Sequence, residues 1–168
     1  LGPNPGSGEP RLAALPGAPY PPLALATLRP LVDVLLPGDP DLALPSGQAA
    51  GVIEFLISAS AAPGLTPVRN DVLKLTRFLD RMAQGLRGVR FSALSDPEDQ
   101  RTLVQEASAD HAARGRFVPA RAVEATLRLS LEGYLGHPHH GANRDFKVWR
   151  ALGINMPEDR SPQHQHHG

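Results

Sequence analysis

Cysteine is absent from the sequence. With it go disulfides, thiolate nucleophiles, cysteine-ligated iron–sulfur clusters and covalently attached c-type haem in this chain. The absence leaves compartment open, because such a chain folds equally well in reducing and oxidising surroundings. Aromatic residues are scarce at 5%, so the 41% apolar content must build its core mainly from Leu, Val, Ile and Ala. No charge of one sign is in excess. Lys plus Arg and Asp plus Glu number 17 each, which argues against nucleic acid and against a membrane surface held by a polybasic patch. No apolar run approaches the roughly 18 residues that a membrane-spanning helix needs. Gly-x-Ser-x-Gly, Gly-x-Gly-x-x-Gly after a strand, and the phosphate loop are all missing. A serine nucleophile elbow and a nucleotide or flavin cradle are therefore not recognisable.

Proline and glycine, by contrast, are plentiful, and they punctuate the chain. Half of residues 1–22 are one or the other, a composition that supports neither a regular helix nor a central strand. This segment reads as an arm, either a flexible leader or an extended piece laid along a partner through Leu12, Leu15 and Tyr20. From Leu23 the spacing turns helical, with Leu28, Leu31, Val32, Leu35 and Leu36 on one face and Pro37-Gly38 as the stop. Ser46 is the expected N-cap of a second helix. Val52, Ile53, Leu56, Ile57 and Ala59 make that helix almost wholly apolar, which predicts deep burial. A third helix is expected from Pro67, with Val72, Leu75, Phe78, Leu79 and Met82 inward and Gly85 and Gly88 ending it. Ser95 and Glu98 have capping-box spacing before a fourth helix that turns Leu103, Val104 and Ala107 inward. The fifth, from Pro119, carries the stripe Val123, Leu127, Leu131, Tyr134 and Leu135. A last short helix, Asp145 to Leu152, places Phe146, Trp149 and Leu152 on one side. The expected fold is all-α: five to six helices over residues 23–154, preceded by the arm and followed by a polar, histidine-containing tail over 155–168.

Seven histidines raise the question of a metal. His137, His139 and His140 share a proline-containing turn, and His164, His166 and His167 lie in the tail, where such a pattern can bind metal adventitiously. Asp96, Glu98 and Asp99 form a carboxylate cluster that the positive end of a helix explains. Asp110 and His111 could pair as acid and base, although an exposed helix end suits them better. The densest concentration of special residues is Leu131 to Pro157. Gly133 permits close approach, Gly136 and Gly141 permit unusual backbone angles, Asn143 is a candidate cap, and Trp149 is a large anchor for a core or an interface.

These residues carry a resemblance. Gly133-Tyr134, His137-Pro138, Gly141, Asn143-Arg144-Asp145, Trp149 and Leu152-Gly153 resemble the C-terminal motif of the gluconate 2-dehydrogenase subunit 3 family. Two departures stand out: Ala142 occupies a place where a second glycine is common, and His139-His140 replaces aliphatic or aromatic residues. Leu31 to Asp39 followed by Ala50-Gly51-Val52 is similar to the family's opening helix and the approach to its second. Phe91 to Leu103 is similar to a Phe-x-x-Leu element before its fourth.

The resemblance implies a small, cofactor-free accessory subunit rather than an enzyme. Its partner would be a large FAD-dependent flavoprotein of the glucose–methanol–choline type that oxidises a sugar, sugar acid or other alcohol. A multihaem cytochrome c subunit, or an iron–sulfur cluster elsewhere in the complex, would pass electrons towards the respiratory chain. The resemblance further implies export of the folded partner with a twin-arginine signal ahead of Leu1, and a periplasmic location or one at the outer face of the cytoplasmic membrane. Its motif nominates Gly133, Tyr134, His137, Gly141, Asn143, Arg144, Asp145 and Trp149 as the partner interface. If Trp149 or Tyr134 is exposed, the segment suits docking; if both are buried, it serves the fold. The competing reading is a free-standing metal-binding helical protein that uses His137, His139 and His140.

Overall fold

Pro21 and Pro22 open the first helix where the missing amide hydrogens cost nothing, and α1 runs Pro22–Leu35. The computed structural model of the chain describes residues 19–155. Leu12, Leu15 and the tail histidines His164, His166 and His167 lie outside them. Tyr20 does not stand off as an anchor; it is 1% exposed in this chain's own core, and its hydroxyl shares a hydrogen bond with Ser60. The inner stripe of α1 is as the spacing predicts, with Leu28, Leu31 and Val32 wholly buried.

Beyond α1 the chain makes a tight loop. Gly47 sits against it so closely that a Cβ there would overlap the Val32 side chain. The Asp33 carboxylate at the end of α1 accepts hydrogen bonds from the backbone and side-chain amides of Gln48 (2.9 and 2.6 Å). Ser46 is not the cap of the second helix. It starts a turn, and α2 spans Val52–Ala59 behind Gly51, whose φ of 85° only glycine adopts readily. Nor is α2 buried all round. Val52, Ile53 and Leu56 face inward, while Glu54 and Ser58 reach solvent, so this eight-residue helix lies on the core rather than through it.

A short 3₁₀ turn leads to α3, Thr66–Arg87, which buries Val72, Leu75, Phe78 and Leu79 as expected. Gly85 lies within it. The stop is Gly88, left-handed at φ 70°, whose N–H returns to the Gln84 carbonyl (2.9 Å). Phe91 and Leu94 then pin a 3₁₀ turn into the core, both buried. The cap of α4 (Pro97–Ala109) is Asp96, not Ser95. Pro97 takes the first helical position, which moves the cap one residue on, and Asp96 accepts from the Glu98 N–H (2.8 Å). Leu103, Val104 and Ala107 face inward as read.

The central element is α5, Pro119–Leu135. It packs against α1, α2, α3, α4 and α6. That many neighbours explain a difference from the sequence reading: its most buried line is Ala122, Thr126, Leu129 and Gly133, whereas Leu127 and Leu131 are half-buried and Leu135 is exposed. Small residues let the surrounding helices come near. Among the described residues there are six α-helices, and the only β pairing is two isolated bridges. The fold is all-α. None of the helices is long and apolar enough to cross a membrane.

Candidate functional site

Past α5 the chain enters the segment that the sequence marks out. Gly136 leaves the helix with ordinary extended angles (φ −72°, ψ 172°), but a Cβ there would lie 2.5 Å from the Glu132 carbonyl oxygen; Gly141, at φ 99°, uses glycine's backbone freedom. Pro138–His140 forms a 3₁₀ turn. After it, Asn143, Asp145 and Phe146 all have positive φ, at 49°, 55° and 55°. Asn and Asp tolerate that region, but phenylalanine does so rarely, and each such residue costs on the order of 1–3 kcal/mol. The continuous helix expected from Asp145 is therefore broken, and α6 is confined to Lys147–Ala151.

Asn143 holds the turn in shape. It is fully buried. Its Nδ2 donates to the Gly136 carbonyl (2.9 Å), and its Oδ1 accepts from the Val148 N–H (2.9 Å). The expected capping role is present in altered form, with the side chain reaching five residues ahead. Gly133 is buried beneath Phe55 of α2, and a Cβ there would lie 2.5 Å from the Phe55 ring; the close neighbour is a ring, not a backbone. Tyr134 is 5% exposed, and its hydroxyl donates to the Pro45 carbonyl (2.6 Å). Ala142 is wholly buried. A Cβ on Gly51 would meet the Gly141 carbonyl at 3.0 Å and the Arg144 side chain at 3.1 Å. Arg144 also reaches Glu54 (3.7 Å) across exposed surface. The turn is thus seated on α2 and the loop before it.

Its outer face is aromatic. Of the three residues expected on one side of the last helix, none is the inward one; Val148 takes that place, wholly buried. Phe146 and Trp149 stay half-buried, and Leu152 is 47% exposed. Trp149 donates its Nε1 hydrogen to the Leu135 carbonyl (2.8 Å), and its ring lies 5.3 Å from that of Phe146. His137 packs edge-on against both, at 5.2 and 6.0 Å between ring centres. Leu135, Leu152 and Ile154 are exposed beside it in sequence. Of the nominated residues, His137, Arg144 and Asp145 are exposed, Gly141 and Trp149 are half-buried, and Gly133, Tyr134 and Asn143 are interior.

The histidines act on one another. The His139 N–H donates to His137 Nδ1 (3.3 Å), and the two Nδ1 atoms lie 2.8 Å apart. With His137 Nδ1 already accepting, the second bond requires the proton on His139 Nδ1. Loss of hydration and the neighbouring His140 and His137 hold His139 below the ordinary histidine range. Among the described residues no group of three or more His, Cys, Asp or Glu is arranged to hold a metal ion. Nor do Asp110 and His111 pair: the Asp110 carboxylate accepts from Arg114 (2.7 Å) and from the Ala112 N–H (3.0 Å). Glu98 and Asp99 are engaged with Arg101 and Arg87.

Sequence reasoning missed the strained Phe146, the seat on Gly51 and the carboxylate of Asp80, which accepts from Thr27 Oγ1 (2.8 Å) and the Phe91 N–H (3.2 Å). The Ala-Gly-Val similarity did name Gly51, but not what it touches. The chain matches the model of one family, described as gluconate 2-dehydrogenase subunit 3, over residues 23–155, which spans all six helices and the aromatic turn. No curated protein and no solved structure matches the chain.

Proposed function

Since the chain belongs to the gluconate 2-dehydrogenase subunit 3 family, we propose that it is the non-catalytic small subunit of a dehydrogenase complex. In this reading it binds and stabilises a large FAD-dependent flavoprotein of the glucose–methanol–choline type and accompanies its export. The partner oxidises a sugar, sugar acid or other alcohol and delivers electrons to a cytochrome c or the respiratory chain. FAD belongs to the partner, haem c or an iron–sulfur cluster to other subunits, and the complex works in the periplasm or at the outer face of the cytoplasmic membrane.

One observation carries the reading. The chain holds Phe146 in a left-handed conformation next to a half-buried Trp149. Observed strain of this kind concentrates at binding sites. A half-buried tryptophan whose indole bonds the Leu135 carbonyl, with Leu135, Leu152 and Ile154 exposed in the flanking segments, has the make-up of an interface anchor. Gly133, Tyr134 and Asn143 serve it from below by fixing the turn, and His137, Gly141, Arg144, Asp145 and Trp149 meet the partner.

Replacing Trp149 with Ala tests this. The variant keeps its helical circular dichroism and loses about 2 kcal/mol or more of affinity for the co-purifying flavoprotein. A variant that unfolds assigns Trp149 to the fold, and one that binds unchanged puts the interface elsewhere.

A further inference from the structure

The chain is neutral overall, but its cations are not evenly placed. α3 and the turn after it carry Arg69, Lys74, Arg77, Arg81, Arg87 and Arg90 against only Asp71 and Asp80. Three of these, Arg77, Arg81 and Arg90, line a single open groove of about 360 Å³ where the start of α1 lies along α3. The rest of its lining is Pro21, Leu23, Ala24 and Leu73, with Thr76 and Asp80 as the other polar groups. Leu23 is 58% exposed. The acidic group in the groove, Asp80, already accepts from Thr27 and from the Phe91 amide. Arg77, Arg81 and Arg90 have no carboxylate within 4 Å among the described residues; Arg29, Arg69, Arg116, Arg121 and Arg150 share that state, so it is the gathering of three such cations in one groove that sets this place apart. Arg77 and Arg81 are one helical turn apart, and the Asp80 carboxylate of the same groove lies within 4 Å of neither.

We propose that this groove is a second docking site, which takes an acidic segment of a partner polypeptide whose glutamates or aspartates are interrupted by apolar side chains. Guanidinium groups bind carboxylates through paired hydrogen bonds, and Leu23 and Leu73 supply apolar contact that a free phosphate could not use. Three cations gathered in one short groove are too few to follow a nucleic-acid backbone. That the segment belongs to the flavoprotein rests on the function proposed above; the groove's preference for acidic peptide does not.

The test measures anisotropy of a short fluorescein-labelled peptide of glutamates interrupted by leucines, added to the full chain. Its control is the same peptide with Gln for Glu. The Glu peptide binds, salt weakens it, and the double variant Arg77→Glu/Arg81→Glu weakens it about tenfold or more. Both side chains are exposed, so the variant keeps its circular dichroism, and Arg128→Glu, outside this groove, leaves binding unchanged. Equal binding of the Gln peptide, no effect of the double variant, or no binding at all overturns the proposal. Displacement by a single-stranded oligonucleotide at lower concentration than the free Glu peptide also overturns it, by making the occupant a polyanion. In the native complex, the double variant weakens flavoprotein association independently of Trp149→Ala. If the peptide binds the groove but no flavoprotein accompanies the chain, the groove stands and the proposed function falls.

Discussion

At the scale of single residues, the turn after α5 depends on groups that the sequence identifies but whose roles it does not reveal. Asn143 is visible as a polar residue near a helix start. That it is buried and joins Gly136 to Val148 depends on the left-handed backbone around it. Asn143→Ala leaves a carbonyl and an amide unpaired in the interior, and a loss of about 2–3 kcal/mol in denaturant unfolding is expected. Loss of less than about half a kcal/mol would mean water replaces the side chain fully. Phe146 behaves oppositely. Phe146→Asn removes aromatic contact but relieves the positive φ, so stability should change by no more than about 1 kcal/mol, while flavoprotein affinity falls about tenfold or more. Equal losses of stability and binding would show that Phe146 supports the fold alone.

Among the elements, helix spacing was legible wherever large apolar side chains mark the buried face. The buried lines of α1, α3 and α4 follow the apolar residues read from the sequence. α5 departs because it touches five other helices; its small residues are contacts rather than gaps, and periodicity of large apolar side chains cannot register them. α2 departs because it is short and lies on the core, and composition alone mistook apolar content for burial. The caps shifted by local chemistry, through Pro97 at α4 and Gly51 at α2. The most consequential short element is the Phe91 turn. Phe91 is wholly buried and its amide bonds Asp80, which also holds Thr27 of α1. Phe91→Ala should cost about 3–5 kcal/mol, against less than about half a kcal/mol for Leu152→Ala on the surface. Thermal melts of the two variants check the contrast, and similar melting temperatures would contradict the packing described.

For the whole molecule, charge is balanced but local pairing makes stability depend on pH in two windows. Arg87 and Arg114 hold the carboxyls of Asp99 and Asp110 below the usual range, chiefly by hydrogen bonds. Their contribution is complete above the ordinary carboxylate value of about 4 and is lost as pH falls through the lowered folded values. His139 is also held low, but as a base: the unfolded chain takes up its proton first, so stability falls as pH drops below about 6.5. Melting temperature should decline from pH 7.5 to 5.5, less so in His139→Gln; a flat or rising profile would contradict the histidine geometry. The all-α class was legible from the helical spacing, and the family from a motif whose Gly133 and Asn143 are also residues the turn needs. The direct measurement is gentle isolation of the native protein, with its visible spectrum and mass spectrometry of every chain that accompanies it. The account predicts the absorption of a bound flavin in a stoichiometric complex with one large flavoprotein. A colourless protein that elutes alone would contradict it.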